Sequence, residues 1–174
     1  MPVFALMREH FIRQMATYSA YHRDPRNRMT HFIGVPIIIF SILLLVAPIR
    51  VGEVYGLSIS WACILLFLVS LYWILMNPLL GLMTALLYFP VLVFARHVSV
   101  YCSEFHLPLF LLTFLGGWTM QGIGHVFEGR RPAFFGNVLQ LFIAPVFLVT
   151  EVVVATGWLR GLKEEIESRQ GEFT

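Results

Sequence analysis

At 174 residues the chain is sized for one domain, and its 58% hydrophobic and 13% charged residues exclude an ordinary soluble protein, which carries roughly 45–50% apolar and about 25% charged. A net charge of +2 with no basic stripe excludes nucleic-acid binding, and a mean hydropathy of +0.77 gathered into long apolar runs indicates an all-α, polytopic membrane helical bundle. The two cysteines, Cys63 and Cys102, lack CxxC spacing and so imply neither a disulfide framework nor a thiolate zinc site, and no small-residue cleavage site follows the first long run to suggest a signal peptide.

The pattern predicts a single membrane domain over 1–174. Residues 1–31 hold an interfacial helix and a first histidine cluster, 32–158 four to five membrane helices, and 159–174 a polar tail. Over 3–21, Phe4, Met7, Phe11, Met15 and Tyr18 recur at three- and four-residue spacing, the mark of an amphipathic helix. That helix either lies in the membrane interface or packs on the rest of the protein. Asp24-Pro25 reads as an N-cap followed by proline at the first helical position, which opens the first apolar run, 32–49. Runs at 57–76 and 79–95 are separated only by Asn77-Pro78, so they form a tight helical hairpin. A polar connection from Arg96 to Glu104 leads to a fourth run, 107–126, and a fifth follows at 134–158.

Two polar clusters interrupt this pattern. The first is Tyr21-His22-Arg23-Asp24-Pro25-Arg26-Asn27, continuing to His31; Asn27 and His31 lie four apart on one helix face. The second is Gln121, His125 and Glu128, spaced by four and three so that they line one face of a helix end. Ionisable groups at membrane depth are costly and mark functional sites. The structural alternative is a set of interfacial residues that cap helices. If all five runs cross, both clusters share one face with Arg8, Arg13, Arg23, Arg26, Arg28, Arg130 and Arg131, which the positive-inside rule places in the cytoplasm. The membrane is then the inner or plasma membrane of a bacterium or the endoplasmic reticulum of a eukaryote. If the fifth run does not cross, the basic tail joins that face and the bias sharpens. Three histidines and Glu128 suffice there for a first-row transition metal with open positions. Glu151, inside an apolar run, needs a partner such as an arginine and reads as structural support. His10 and His106 fit surface or interface roles, and His97 falls on the opposite face.

Tyr21-His22-x-x-Pro25-x-Asn27-x-x-x-His31-x-x-x-x-Pro36 and Gly117-Trp118-x-x-Gln121-x-x-Gly124-His125-x-x-Glu128-x-Arg130-Arg131-Pro132-Ala133 resemble the two signatures of the fungal-type 2-hydroxy fatty acid dioxygenase family. Asn137, Gln140, Ala144-Pro145 and Glu151 match the stretch that follows. Family members commonly carry an acidic residue just before the asparagine, where this chain has Gly136. The resemblance implies a membrane-embedded, Fe(2+)-dependent enzyme that uses O2 to shorten 2-hydroxy fatty acids by one carbon. It implies His22, His31 and His125 as iron ligands, with Asn27, Gln121 and Glu128 holding or joining the ligand set. Arg130 or Arg131 then steers the substrate carboxylate, or serves only as a membrane-flanking charge. The rival readings are another lipid-modifying metalloenzyme, such as a hydroxylase or zinc hydrolase, and a non-enzymatic transporter or lipid-binding scaffold. Oligomeric state is not legible.

Overall fold

The computed structural model describes residues 3–173. Their α-helices are α1 (Val3–Ala20), α2 (Pro25–Val46), α3 (Trp61–Met76), α4 (Pro78–Tyr101), α5 (His106–Glu128), α6 (Gln140–Ala155) and α7 (Arg160–Arg169). Asp24 caps α2 as the sequence requires: its carboxylate accepts from the Arg26 backbone N–H at 2.8 Å, and Pro25 occupies the first turn. Asn77 serves two helices. Its N–H donates to Trp73 O at 3.0 Å, closing α3, and its side-chain oxygen accepts from Leu80 N at 3.1 Å, opening α4.

One element has no counterpart in the sequence reading. The chain between α2 and α3 forms an antiparallel hairpin, β1 (Arg50–Val54) and β2 (Leu57–Ser60). Tyr55 and Gly56 both take positive φ, 49° and 77°, the twist that favours a two-residue hairpin turn. This hairpin takes the first four residues of the expected second run. Conversely, α4 continues through Arg96 and His97 to Tyr101, beyond the expected break.

Among the described residues, three helical segments are long and apolar enough to cross a membrane: Pro25–Val46, Pro78–Tyr101 and Ser103–Glu128. The apolar helices α3 and α6 have 16 residues each, about 24 Å at a rise of ~1.5 Å per residue, against a hydrocarbon core of ~30 Å. Near its start, α6 meets α3 one turn from that helix's C-terminus, where Phe142 O accepts from Trp73 Nε1 at 2.7 Å. Near its end, Glu151 pairs with Arg28 in the first turn of α2 at 3.0 Å. Both contacts lie at one end of the bundle, so α6 runs across that end. The partner that Glu151 requires is thus Arg28.

The C-terminal half of α1 packs beneath the same layer. Phe11, Ile12 and Met15 are wholly buried, while Phe4 in the first turn is exposed. Gln14, off the apolar stripe, is also buried because it accepts a hydrogen bond from Gln140 at 2.5 Å. The polar tail is a docked helix: Ile166 of α7 is buried, Arg8 pairs with Glu165, and Arg169 pairs with Glu9.

The most extensive helix pairing is α2 with α5. A Cβ at Gly117 would fall 2.6 Å from Ile38 Cγ1, and one at Gly124 would overlap Thr30 Oγ1 and Asn27 Oδ1. Small residues at these positions let the backbones approach. Gly124→Ala is therefore expected to destabilise the protein by about 1–3 kcal/mol through overpacking, seen as a lower thermal unfolding midpoint in detergent. An unchanged midpoint would contradict the close crossing.

Candidate metal centre

The three histidines of the two sequence clusters meet at the end of the bundle that α6 covers. His22 follows α1, in the link to α2. Its ring stacks on Tyr18 at 4.0 Å between centroids and 5° between planes, and its Nδ1 lies 2.7 Å from Tyr18 O. His31 is on the second turn of α2, with Nδ1 2.8 Å from Asn27 O. His125 is on the last turn of α5. Gly129 ends that helix with φ 68°, donating its N–H to His125 O and Val126 O. The three imidazoles are 2%, 4% and 8% exposed. Their centroids are 4.4, 5.2 and 5.1 Å apart, with interplanar angles of 77°, 66° and 89°. One ring nitrogen from each lies within 4.8 Å of the others, the one such group among the described residues.

The hydrogen bonds fix the chemistry of two rings. Only an Nδ1–H can donate to a carbonyl, so His22 and His31 carry their protons on Nδ1. Their Nε2 atoms, 3.1 Å apart, then face one another as lone pairs. Burial, followed by the neighbouring His31, lowers the pKa of His22 and favours its neutral ring. Two converging lone pairs beside a third imidazole form a donor set for a divalent transition metal, with the backbone carbonyls orienting the rings.

Glu128 stands outside this group. Its Oε1 accepts from Arg23 N at 2.9 Å, and its Oε2 accepts from Asp24 N at 2.9 Å and Asn27 Nδ2 at 3.0 Å. The carboxylate ties the end of α5 to the entrance of α2, which places His125 against His22 and His31. Arg26 reinforces the joint by lying over the Phe127 ring at 4.5 Å. Its hydrogen bond to Asp24 also holds that carboxyl at a pKa of about 2, so the α2 cap stays charged near neutral pH. Arg28 braces His22 from the other side, donating from Nε to His22 O at 2.9 Å while it pairs with Glu151.

The histidines close one end of a cavity of about 350 Å³ whose walls come mainly from α2, α3, α5 and α6. No charged side chain is among its lining residues. Arg130 instead donates to Ala20 O at 3.2 Å and lies over Tyr21, and Arg131 is exposed. Neither arginine reaches the cavity wall. Gln121 does: it is buried, one turn from His125, and its Nε2 has no hydrogen-bond partner. A Cβ at Gly34 would overlap that nitrogen, so the glycine makes room for the amide.

Sequence reasoning missed Tyr18, Gly34 and Arg28 as parts of this site. Tyr18 was legible only as a member of the apolar stripe, and Arg28 only as a flanking charge. His97 and His106 lie away from the centre: the His97 ring packs on Tyr101, and His106 Nε2 lies 2.7 Å from Leu44 O. His10 Nε2 lies 3.0 Å from Tyr72 OH.

Residues 8–156 match a family described as Mpo1-like, 2-hydroxy-palmitic acid dioxygenase. The chain is 32% identical over 157 residues to the 2-hydroxy-palmitic acid dioxygenase MPO1 of Saccharomyces cerevisiae, covering 88% of this chain and 86% of the yeast protein. No solved structure matches.

Proposed function

We propose, for a chain that belongs to the Mpo1-like family, an iron(II)-dependent dioxygenase that cleaves 2-hydroxy fatty acids between C1 and C2 to give the acid one carbon shorter. The observation that carries this reading is the convergence of three buried imidazoles at the end of an uncharged, apolar cavity. Such a cavity suits an acyl chain, and a three-nitrogen centre leaves positions open for the polar head and for O2. Ferrous ion bound by His22, His31 and His125 would supply redox chemistry with O2 and a Lewis-acidic anchor for the hydroxyl and carboxylate oxygens. The overall balance is RCH(OH)COOH + O2 → RCOOH + CO2 + H2O. All the electrons come from the substrate, so no separate reductant is required.

The protein's own groups bind and orient. Tyr18 and Asn27 carbonyls hold His22 and His31 in one tautomer. Gln121 offers its unpartnered N–H to the substrate carboxylate, a role supported by its place in the cavity wall, which neither Arg130 nor Arg131 lines. Gln121→Leu is therefore expected to keep its iron and lower kcat/KM about 10- to 100-fold, the range for losing a hydrogen bond to a charged group, ~1.5–3 kcal/mol. Unchanged kcat/KM would remove Gln121 from substrate binding.

The docked α7 brings Arg160, Lys163 and Arg169 to the end that carries the other arginines, leaving Arg50 and Arg96 at the far end. By the positive-inside rule, this asymmetry supports the proposal that the centre faces the cytoplasm. The deciding experiment for the function is incubation of ferrous-loaded protein with 2-hydroxy palmitate under air. Mass spectrometry should detect the acid one carbon shorter, formed only with iron and O2 present. Failure of the loaded protein to form it would reject the reading.

A further inference from the structure

Taking the proposed 2-hydroxy fatty acid as the occupant, we infer that the groove between α2 and α3 measures acyl length, with Leu43 and Leu66 as its floor. Val35, Ile38, Ile39 and Ile42 line the cavity from α2, at the three- and four-residue spacing of one helix face. The antiparallel α3 faces them with a second apolar stripe that includes Val69 and Leu66. Because the imidazoles occupy one end, the polar head has a fixed address and the alkyl chain must run along these stripes.

The run has a definite end. From His31 to Leu43 the α2 axis advances about 18 Å at ~1.5 Å per residue. Leu43 and Leu66 line the cavity and are 2% and 7% exposed. One turn deeper, Ala47 just past the end of α2 and Ala62 on α3 are buried without reaching the cavity. The lining residues of the cavity thus reach no deeper than Leu43 on α2 and Leu65 and Leu66 on α3. Ile39, Ile42 and Val69 higher in the groove are only half-buried, which gives a chain sideways entry from the bilayer. Once inside, methylenes gain contact down to the floor and none beyond it.

The test uses the full-length, iron-loaded protein and a series of saturated 2-hydroxy acids of increasing length. For each acid, the ratio of variant to unsubstituted kcat/KM cancels partitioning into detergent. Each methylene seated in the groove contributes about fourfold, the equivalent of ~0.8 kcal/mol per buried CH2. Leu66→Trp raises the floor, so the ratio should fall as the chain lengthens, by about fifteenfold for a loss of two seated methylenes at ~0.8 kcal/mol each. Leu66→Ala deepens the groove and should make the ratio rise with chain length. That variant decides the matter if the tryptophan protein does not fold. Ratios independent of chain length in a folded variant would overturn the gauge while leaving the proposed reaction intact. An unsubstituted, iron-loaded protein that turns over none of the acids would instead reject the reaction, and the gauge with it.

Discussion

Replacing His31 by alanine is expected to abolish iron retention and turnover together while the protein still inserts. Its Nε2 faces that of His22 at 3.1 Å, so the substitution removes one of the two nitrogens whose lone pairs converge. His125→Ala should do the same from the other helix. Losing only a partner that orients a ligand typically costs ~10–100-fold in metal affinity or activity. Loss of the ligand itself should exceed that range. Metal content after ferrous loading and gel filtration, together with turnover, checks the result. A monodisperse peak in detergent separates it from misfolding. Full activity in either variant would remove that histidine from the ligand set.

Glu128→Gln should give a different signature. The carboxylate accepts from three N–H groups, those of Arg23, Asp24 and the Asn27 side chain. A carboxamide turns one of its oxygens into a donor that faces these donors, which loosens the joint between the entrance of α2 and the end of α5. The expected effect is a ~10–100-fold weaker affinity for ferrous ion, with turnover recovered when iron is saturating. A direct ligand would behave otherwise, because saturating iron would not restore the missing donor. Iron affinity and kcat at saturating iron therefore distinguish a positioning carboxylate from a coordinating one. A Glu128→Gln protein with unaltered affinity would contradict the geometry.

The contrast between these residues shows what spacing alone can reveal. Asp24-Pro25 and Asn77-Pro78 were legible because capping depends on neighbours within one helical turn. The three histidines stood out because polar groups in apolar surroundings are costly. Glu128 was equally conspicuous, yet its hydrogen bonds go to residues about a hundred positions away, which periodicity cannot reveal. Arg130 and Arg131 invited a role in carboxylate binding by their chemistry, but their position follows from the turn at Gly129 and the end of α1. The fifth apolar run looked able to span because composition does not record direction. Its start at Gln140, and its ties to Trp73 and Arg28, lay it across the bundle end. Of the Tyr55-Gly56 hairpin, β1 and the turn fell between the expected runs, while β2 was hidden because Leu57–Ser60 continues into an apolar run and was read as the start of a helix.

The most direct test of the central claim is anaerobic titration of ferrous ion into the metal-stripped protein, read by X-ray absorption at the iron edge. One ion per chain is expected, with the multiple-scattering signature of three imidazoles that loses one component in His31→Ala and in His125→Ala. Absence of stoichiometric binding, or an iron spectrum without imidazole that neither variant alters, would contradict it.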